Sequence, residues 1–194
     1  MVESLDAAFH REARLIRRVS GSTKLETAMR KAVKILADNG IPHLIADGMA
    51  ITERGYPRTT KDVDIIVPDI YIAHDTLIKA GFKQSKKKRT DVVDPKSEVL
   101  INLLAGGEKV LDQGLPLPQP TVVSDKPQIA SLDNLIHMKL SAGRSQDFAD
   151  VVALIKANSL PKDYRVHRMV KVDYLEAWDT ASVEQATEDL LGGS

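Results

Sequence analysis

The chain has 194 residues, 43% of them hydrophobic and 28% charged, which is ordinary globular composition and excludes a disordered or collagen-like polymer. Lys plus Arg and Asp plus Glu both number 27, so no bulk charge draws it to nucleic acid or to a membrane surface. There is no cysteine, which excludes disulfide scaffolds, thiolate metal sites and cysteine nucleophiles. No apolar run reaches the roughly 18–20 residues of a membrane helix. The first 18 residues are charged throughout, with no apolar signal core, and the expected compartment is the cytoplasm.

Residues 3–18 carry Leu5, Phe9, Leu15 and Ile16 on a loose helical stripe, broken at Ser20-Gly21-Ser22. Thr23 is placed to cap a second helix through about Asn39, which Asn39-Gly40 ends. His43–Ala46 reads as a short strand, and Asp47-Gly48 turns it into a short helix over Met49–Glu53. Asp62–Val67 reads as a strand closed by Pro68, Ile70–Ala80 as a helix stopped by Gly81, and Phe82–Gln84 as a third strand. The run Lys86–Arg89 falls near a hairpin, and Ser97–Leu104 is β-rich. Prolines at 116, 118, 120 and 127 mark a rigid connector, followed by a short strand at Gln128–Ala130. Ser131 caps a helix over Leu132–Ala142; after Gly143 comes another over Gln146–Asn158. A last helical region starts at Pro161, with Val170, Tyr174 and Trp178 spaced four apart. Strands interleaved with helices predict an α/β (α+β) mixed sheet flanked by helices, with a C-terminal helical extension.

The most informative stretch is Arg58 to Val67, with Asp62-Val63-Asp64 at its centre. Side chains alternate along a strand, so both carboxylates point to one face, with Cα atoms roughly 6.5–7 Å apart. Like charges that close repel, and a cation between them relieves the repulsion. Hard oxygen ligands favour Mg²⁺, which is usually held by one or two carboxylates plus substrate phosphates. The bland alternative is a pair of exposed acids on an edge strand. Upstream, the unit of strand, Gly48 and short helix brings free backbone N–H groups toward the same sheet end, where a phosphate is favoured.

These residues resemble a family. Asp47-Gly48-Met49-Ala50, then Gly55-Tyr56-Pro57-Arg58-Thr59-Thr60-Lys61-Asp62-Val63-Asp64, look like the signature of the nucleotidyltransferase superfamily, with its polymerase-β-like fold. The branch it is most similar to includes abortive-infection-type toxin nucleotidyltransferases and related bacterial proteins. Ile101–Gly107, Leu135–Arg144 with Asp147 and Asp150, and Tyr174–Trp178 match the same group in the same order, over about residues 23–180. With the N-terminal helical stripe taken as a segment over 1–22, the resemblance implies a nucleotidyltransferase-like core over 23–130 and a helical region over 131–194 packed on it. It further implies one or two Mg²⁺ ions and a nucleoside triphosphate such as ATP. A hydroxyl acceptor on a tRNA, a protein or a small molecule would attack the α-phosphorus. It also suggests an antitoxin-like protein partner, while the lack of a long apolar run leads to the expectation of no membrane. Asp62 and Asp64 match the metal ligands, Gly48 the phosphate-facing glycine, and Arg58, Thr60 and Lys139 the nucleotide site.

Two positions depart from the pattern. The family's Gly-Gly is Asp47-Gly48, which sets a carboxylate at the phosphate-binding turn. The later strand usually carries a third Asp where this chain has Asn102, and an amide is neutral and cannot act as a base. Glu98 shares the strand face by parity but lies ~13 Å along it. Two readings stand: a transferase, weakened by Asn102, or a catalytically impaired module that binds nucleotide or a partner. The run Lys86–Arg89 reads as a solvated hairpin tip or a grip on a polyanion. Lys139 reads as a phosphate ligand or, with Arg144, Asp147 and Asp150, as part of surface helix ion pairs, and Arg144 with Asp147 reads as a clamp between two helices.

Overall fold

The computed structural model describes residues 22–109 and 114–192. The helix expected over 3–18 therefore lies outside the described residues. The chain runs α1 (Ser22–Asp38), β1 (Leu44–Ala46), α2 (Asp47–Glu53), β2 (Asp62–Val67), α3 (Ile70–Lys79), β3 (Lys83–Gln84), β4 (Val92–Val93) and β5 (Leu100–Ala105). Then come α4 (Leu132–Ala142), α5 (Ser145–Ala157), a 3₁₀ turn at Arg168–Val170, and α6 (Lys171–Gly192). The five strands form one mixed sheet in the order β1-β2-β5-β4-β3, with β2 and β5 parallel at its centre and the other pairs antiparallel. The mixed α/β sheet flanked by helices is thus present, as is the helical C-terminal stretch.

Two apolar clusters hold the layers together. Leu25, Ala28, Met29, Ala32, Val33 and Leu36 recur at helical spacing on α1 and pack against Val63, Ile65, Val67, Ile101 and Leu103 of the central strands. A second cluster joins Ala50 and Ile51 of α2 to Leu135, Ile136, Val151, Leu154 and Tyr174 of the later helices. Because β2 buries its odd positions against α1, alternation turns Asp62 and Asp64 to the opposite face. Tyr174 is fully buried and donates its hydroxyl to the Pro161 carbonyl at 2.8 Å; Trp178 donates its indole N–H to Leu160 at 2.9 Å. Both anchor α6 to the loop before it.

Several boundaries differ from the expectation for identifiable reasons. Helix α1 already includes Ser22, so Thr23 lies inside its first turn. Helix α2 starts at Asp47, which takes the left-handed conformation (φ +47°) and lets the chain pass from strand to helix without a linker. Strand β5 starts only at Leu100. Asp94 ties residues 94–99 into a turn by accepting hydrogen bonds from the Ser97 N–H (3.0 Å) and hydroxyl (2.7 Å), and Glu98 sits at φ +61°. Glu98 therefore lies off the strand. Gln128–Ala130 does add to the sheet edge, through Ile45 N–H to Gln128 (2.7 Å) and Ala130 N–H to Ile45 (2.9 Å). Pro161 starts no helix: a turn at residues 162–163 and an irregular stretch over 164–167 precede the 3₁₀ segment.

His43, at the entry to β1, is fully buried. Its Nδ1 donates to the Ile41 carbonyl at 3.2 Å, while Nε2 is buried without a partner. Burial holds its pKa below the ordinary 6.5. As pH falls, the unfolded chain takes up the proton before the folded one, so His43 costs no stability above pH 6.5 and an increasing amount below it. Urea melts at each pH are expected to show wild type losing stability between pH 6.5 and 5 faster than His43→Gln, by up to about 1.4 kcal/mol per pH unit.

Candidate functional site

The site forms where β2 and β5 lie side by side. Asp64 and Asn102 are direct partners in the parallel register, and Asp62 is one alternation away. The Asn102 Nδ2 donates to Asp62 Oδ2 at 3.1 Å and to Asp64 Oδ1 at 3.0 Å. One amide thus bridges both carboxylates from the point between them. Thr60 adds a hydroxyl, donating to the Asp62 carbonyl at 3.1 Å and lying 3.3 Å from Asp62 Oδ1. The Asp64 carboxyl is pushed up to about 7, first by burial and then by the negative charges of Asp47 and Asp62, against the opposing Asn102 hydrogen bond and Lys139 charge.

Beside this pair stands the β1–α2 corner. Asp47 carries the positive φ there, and Gly48 does not. The requirement for glycine at 48 is steric. A Cβ would sit 2.7 Å from the Thr60 Cβ and 2.9 Å from its hydroxyl, so α2 can pack on Thr60 only without one. The Asp47 Oδ1 accepts from Arg58 Nη1 at 3.1 Å and from Lys139 Nζ at 2.5 Å.

Lys139 is the centre of a buried ion network. Its ammonium also meets Asp147 Oδ1 at 2.8 Å and Asp150 Oδ2 at 2.9 Å, so its three donors face three carboxylates. Burial alone would lower its pKa, but the carboxylates of Asp47, Asp147 and Asp150 outweigh it and hold the group above its ordinary 10.5. Arg58 reaches Asp150 Oδ2 at 2.9 Å, and Arg144 reaches Asp147 through Nε at 2.5 Å and Nη2 at 3.1 Å. Burial would raise the Asp147 carboxyl; Arg144 and Lys139 reverse that and hold it below the ordinary range. These are not surface helix pairs, because Lys139, Asp147 and Asp150 are all buried. Lys139, through Asp147 and Asp150, clamps α4 to α5, while the exposed Arg144 joins Asp147 from outside.

All eight residues singled out from the sequence meet in two connected sets. Arg58, Asp47 and Lys139 form one; Gly48, Thr60, Asp62, Asn102 and Asp64 form the other. A cleft of about 460 Å³ opens next to them, with Asp47, Asp64 and Lys139 in its lining and Leu103, Leu104, Leu135 and Met138 along its walls. Lys88, from the basic run between β3 and β4, also lines it. So does Thr90, whose hydroxyl oxygen is buried without a partner. Nothing in the local sequence marks Thr90, since its position follows from the hairpin folding over β5.

Among the described residues no three His, Asp or Glu side chains gather as a metal cluster. The donors present are two carboxylates and one amide. A half-turn of the Asn102 side chain exchanges Nδ2 for Oδ1 and gives three hard oxygens around one point, a set that suits Mg²⁺. The amide hydrogens now occupy the place where those carboxylates seek positive charge. The residues therefore fit a divalent cation.

No family model matches the chain, and no curated protein matches it. Among solved structures it is similar to the solution structure of the antibiotic-resistance factor ANT(2'')-Ia, at 14% identity and a TM-score of 0.41, with 86% of each chain covered. Among the described residues no helix is long and apolar enough to cross a membrane.

The raised Asp64 carboxyl has a consequence for stability. Between the ordinary 3.8 and about 7 the folded chain keeps a proton that the unfolded chain has lost, so this group makes the protein less stable as pH rises through that window. Asp64→Asn is expected to melt higher than wild type at pH 8 and equally at pH 4, a gain of up to a few kcal/mol at about 1.4 kcal/mol per pKa unit. Thermal melts at both pH values check it.

Proposed function

We propose that the chain is a Mg²⁺-dependent nucleotidyltransferase that moves a nucleoside monophosphate from a nucleoside triphosphate to a hydroxyl acceptor. The observation that supports it is the meeting of Asp62, Asp64 and Asn102 around one point on a part-buried sheet face, with Asp64 lining the adjacent cleft. Asp62 and Asp64 would hold the metal, with Asn102 contributing its amide oxygen. A divalent ion there supplies Lewis-acid stabilisation of charge on phosphoryl oxygens. Thr60 orients Asp62, and Gly48 lets Thr60 stand close. The cleft beyond Asp64, apolar along its walls, receives the organic part of a substrate. In the reaction the acceptor hydroxyl gives its proton to solvent water, its oxygen bonds to the α-phosphorus, the bond to the α–β bridging oxygen breaks, and pyrophosphate leaves with that oxygen.

Asn102 favours a second reading, a nucleotide-binding or partner-binding module of reduced catalytic power. Its amide takes no proton from an acceptor hydroxyl and brings no charge to the metal. Two measurements separate the readings. Calorimetric titration with a non-hydrolysable ATP analogue is expected to show binding that requires Mg²⁺ and is lost in Asp62→Ala; binding that ignores both would overturn each reading. Asn102→Asp is then expected to raise Mg²⁺ affinity and pyrophosphate release at least about tenfold. Metal-dependent binding with no pyrophosphate release from either protein would favour the module.

A further inference from the structure

We propose that Asp47 is a built-in competitor for the phosphate groups of the nucleotide, tuning the cleft to accept phosphate with its metal and to refuse bare phosphate anions. This rests on the nucleotide reading above and adds a determinant of ligand charge to it. Lys139 acts electrostatically on Asp64, and a single oxygen, Asp47 Oδ1, takes a hydrogen bond from both Lys139 and Arg58. Of the three carboxylates on Lys139, those of Asp147 and Asp150 are 1% and 0% exposed, whereas that of Asp47 is 29% exposed.

Only Asp47 can leave cheaply. Moving Asp147 or Asp150 would strand a charge inside the protein, and Asp150 is held further by Arg58 and by Gln146 at 3.2 Å. Asp47 lines the cleft and opens to water, and its left-handed backbone is one that non-glycine residues rarely adopt. A phosphate oxygen arriving at Lys139 would replace one anion by another, so the buried ammonium would never be left unpaired. The incoming group would then lie beside Asp62, Asp64 and the released Asp47. Three carboxylates repel a bare phosphate there, and a metal carried with it removes that penalty.

The test is calorimetric titration of inorganic pyrophosphate into wild type, Asp47→Asn, Asp47→Gly and Glu108→Gln, without metal and then with Mg²⁺. Glu108 lines the same cleft, so its variant removes one negative charge without touching Lys139 or Arg58. Both Asp47 variants are expected to bind metal-free pyrophosphate at least about tenfold more tightly than wild type, the worth of one charge-assisted hydrogen bond. Glu108→Gln is expected to stay within about twofold, and Mg²⁺ to narrow the gap between wild type and the Asp47 variants. If Asp47→Asn does not fold, Asp47→Gly suits the left-handed corner and carries the test. Equal affinities for wild type and the Asp47 variants, or an equal gain in Glu108→Gln, would overturn the proposal. The metal-free arm needs no ion held by the Asp62–Asp64 pair, whose charge is the same in every protein compared. Failure of the nucleotide reading would therefore show separately, as loss of Mg²⁺-dependent analogue binding while the Asp47 variants still gain.

Discussion

Repulsion between two carboxylates is the constraint around which this structure is arranged. Asp62 and Asp64 share a strand face, and the strand geometry gives them no way to separate. The fold relieves the repulsion by placing the Asn102 amide between them, from the register partner of Asp64. An amide dipole offsets part of one charge, while burial, with the charges of Asp47 and Asp62 adding to it, keeps the Asp64 carboxyl raised. A pair of acids kept this way is poorly suited to stability and well suited to receiving a cation.

The second constraint is how the helical layer stays on the sheet next to so much charge. Lys139 ties α4 to α5 through Asp147 and Asp150 and to the β1–α2 corner through Asp47. Removing one of the buried members, Lys139, Asp147 or Asp150, costs on the order of 3–5 kcal/mol, because it leaves the others uncompensated, whereas Asp47 is part-exposed. The network therefore fixes the distance between the corner and the helices, and so the width of the cleft beside Asp64. Apolar packing does the rest: the second core cluster joins α2 to α4, α5 and α6 around Tyr174.

The parts of this arrangement legible in the sequence are those set by local periodicity. Asp62 and Asp64 fall on one face because a strand has a period of two, and the apolar stripe of α1 follows from a period of 3.6. Helix ends marked by Gly40 and Gly143 also follow from local chemistry, since both adopt positive φ. What local pattern does not carry is register and burial. That Asn102 stands opposite Asp64 depends on how β5 pairs with β2 across 38 residues. Lys139, Asp147 and Asp150 look like surface charges on two helices until the fold buries them together. Asp47 shows the limit from the other side. A left-handed aspartate at a strand-to-helix corner is paid for by tertiary ion pairs, which no local rule describes.

The central claim, that this carboxylate pair exists to hold a divalent ion, is tested most directly by diffraction from crystals soaked in Mn²⁺, using its anomalous signal. The account predicts one peak between Asp62 and Asp64, about 2.2 Å from an oxygen of each, with the Asn102 amide turned to present its oxygen. Crystals in which the Asn102 nitrogen still bridges the two carboxylates, with no anomalous peak at millimolar Mn²⁺, would contradict it.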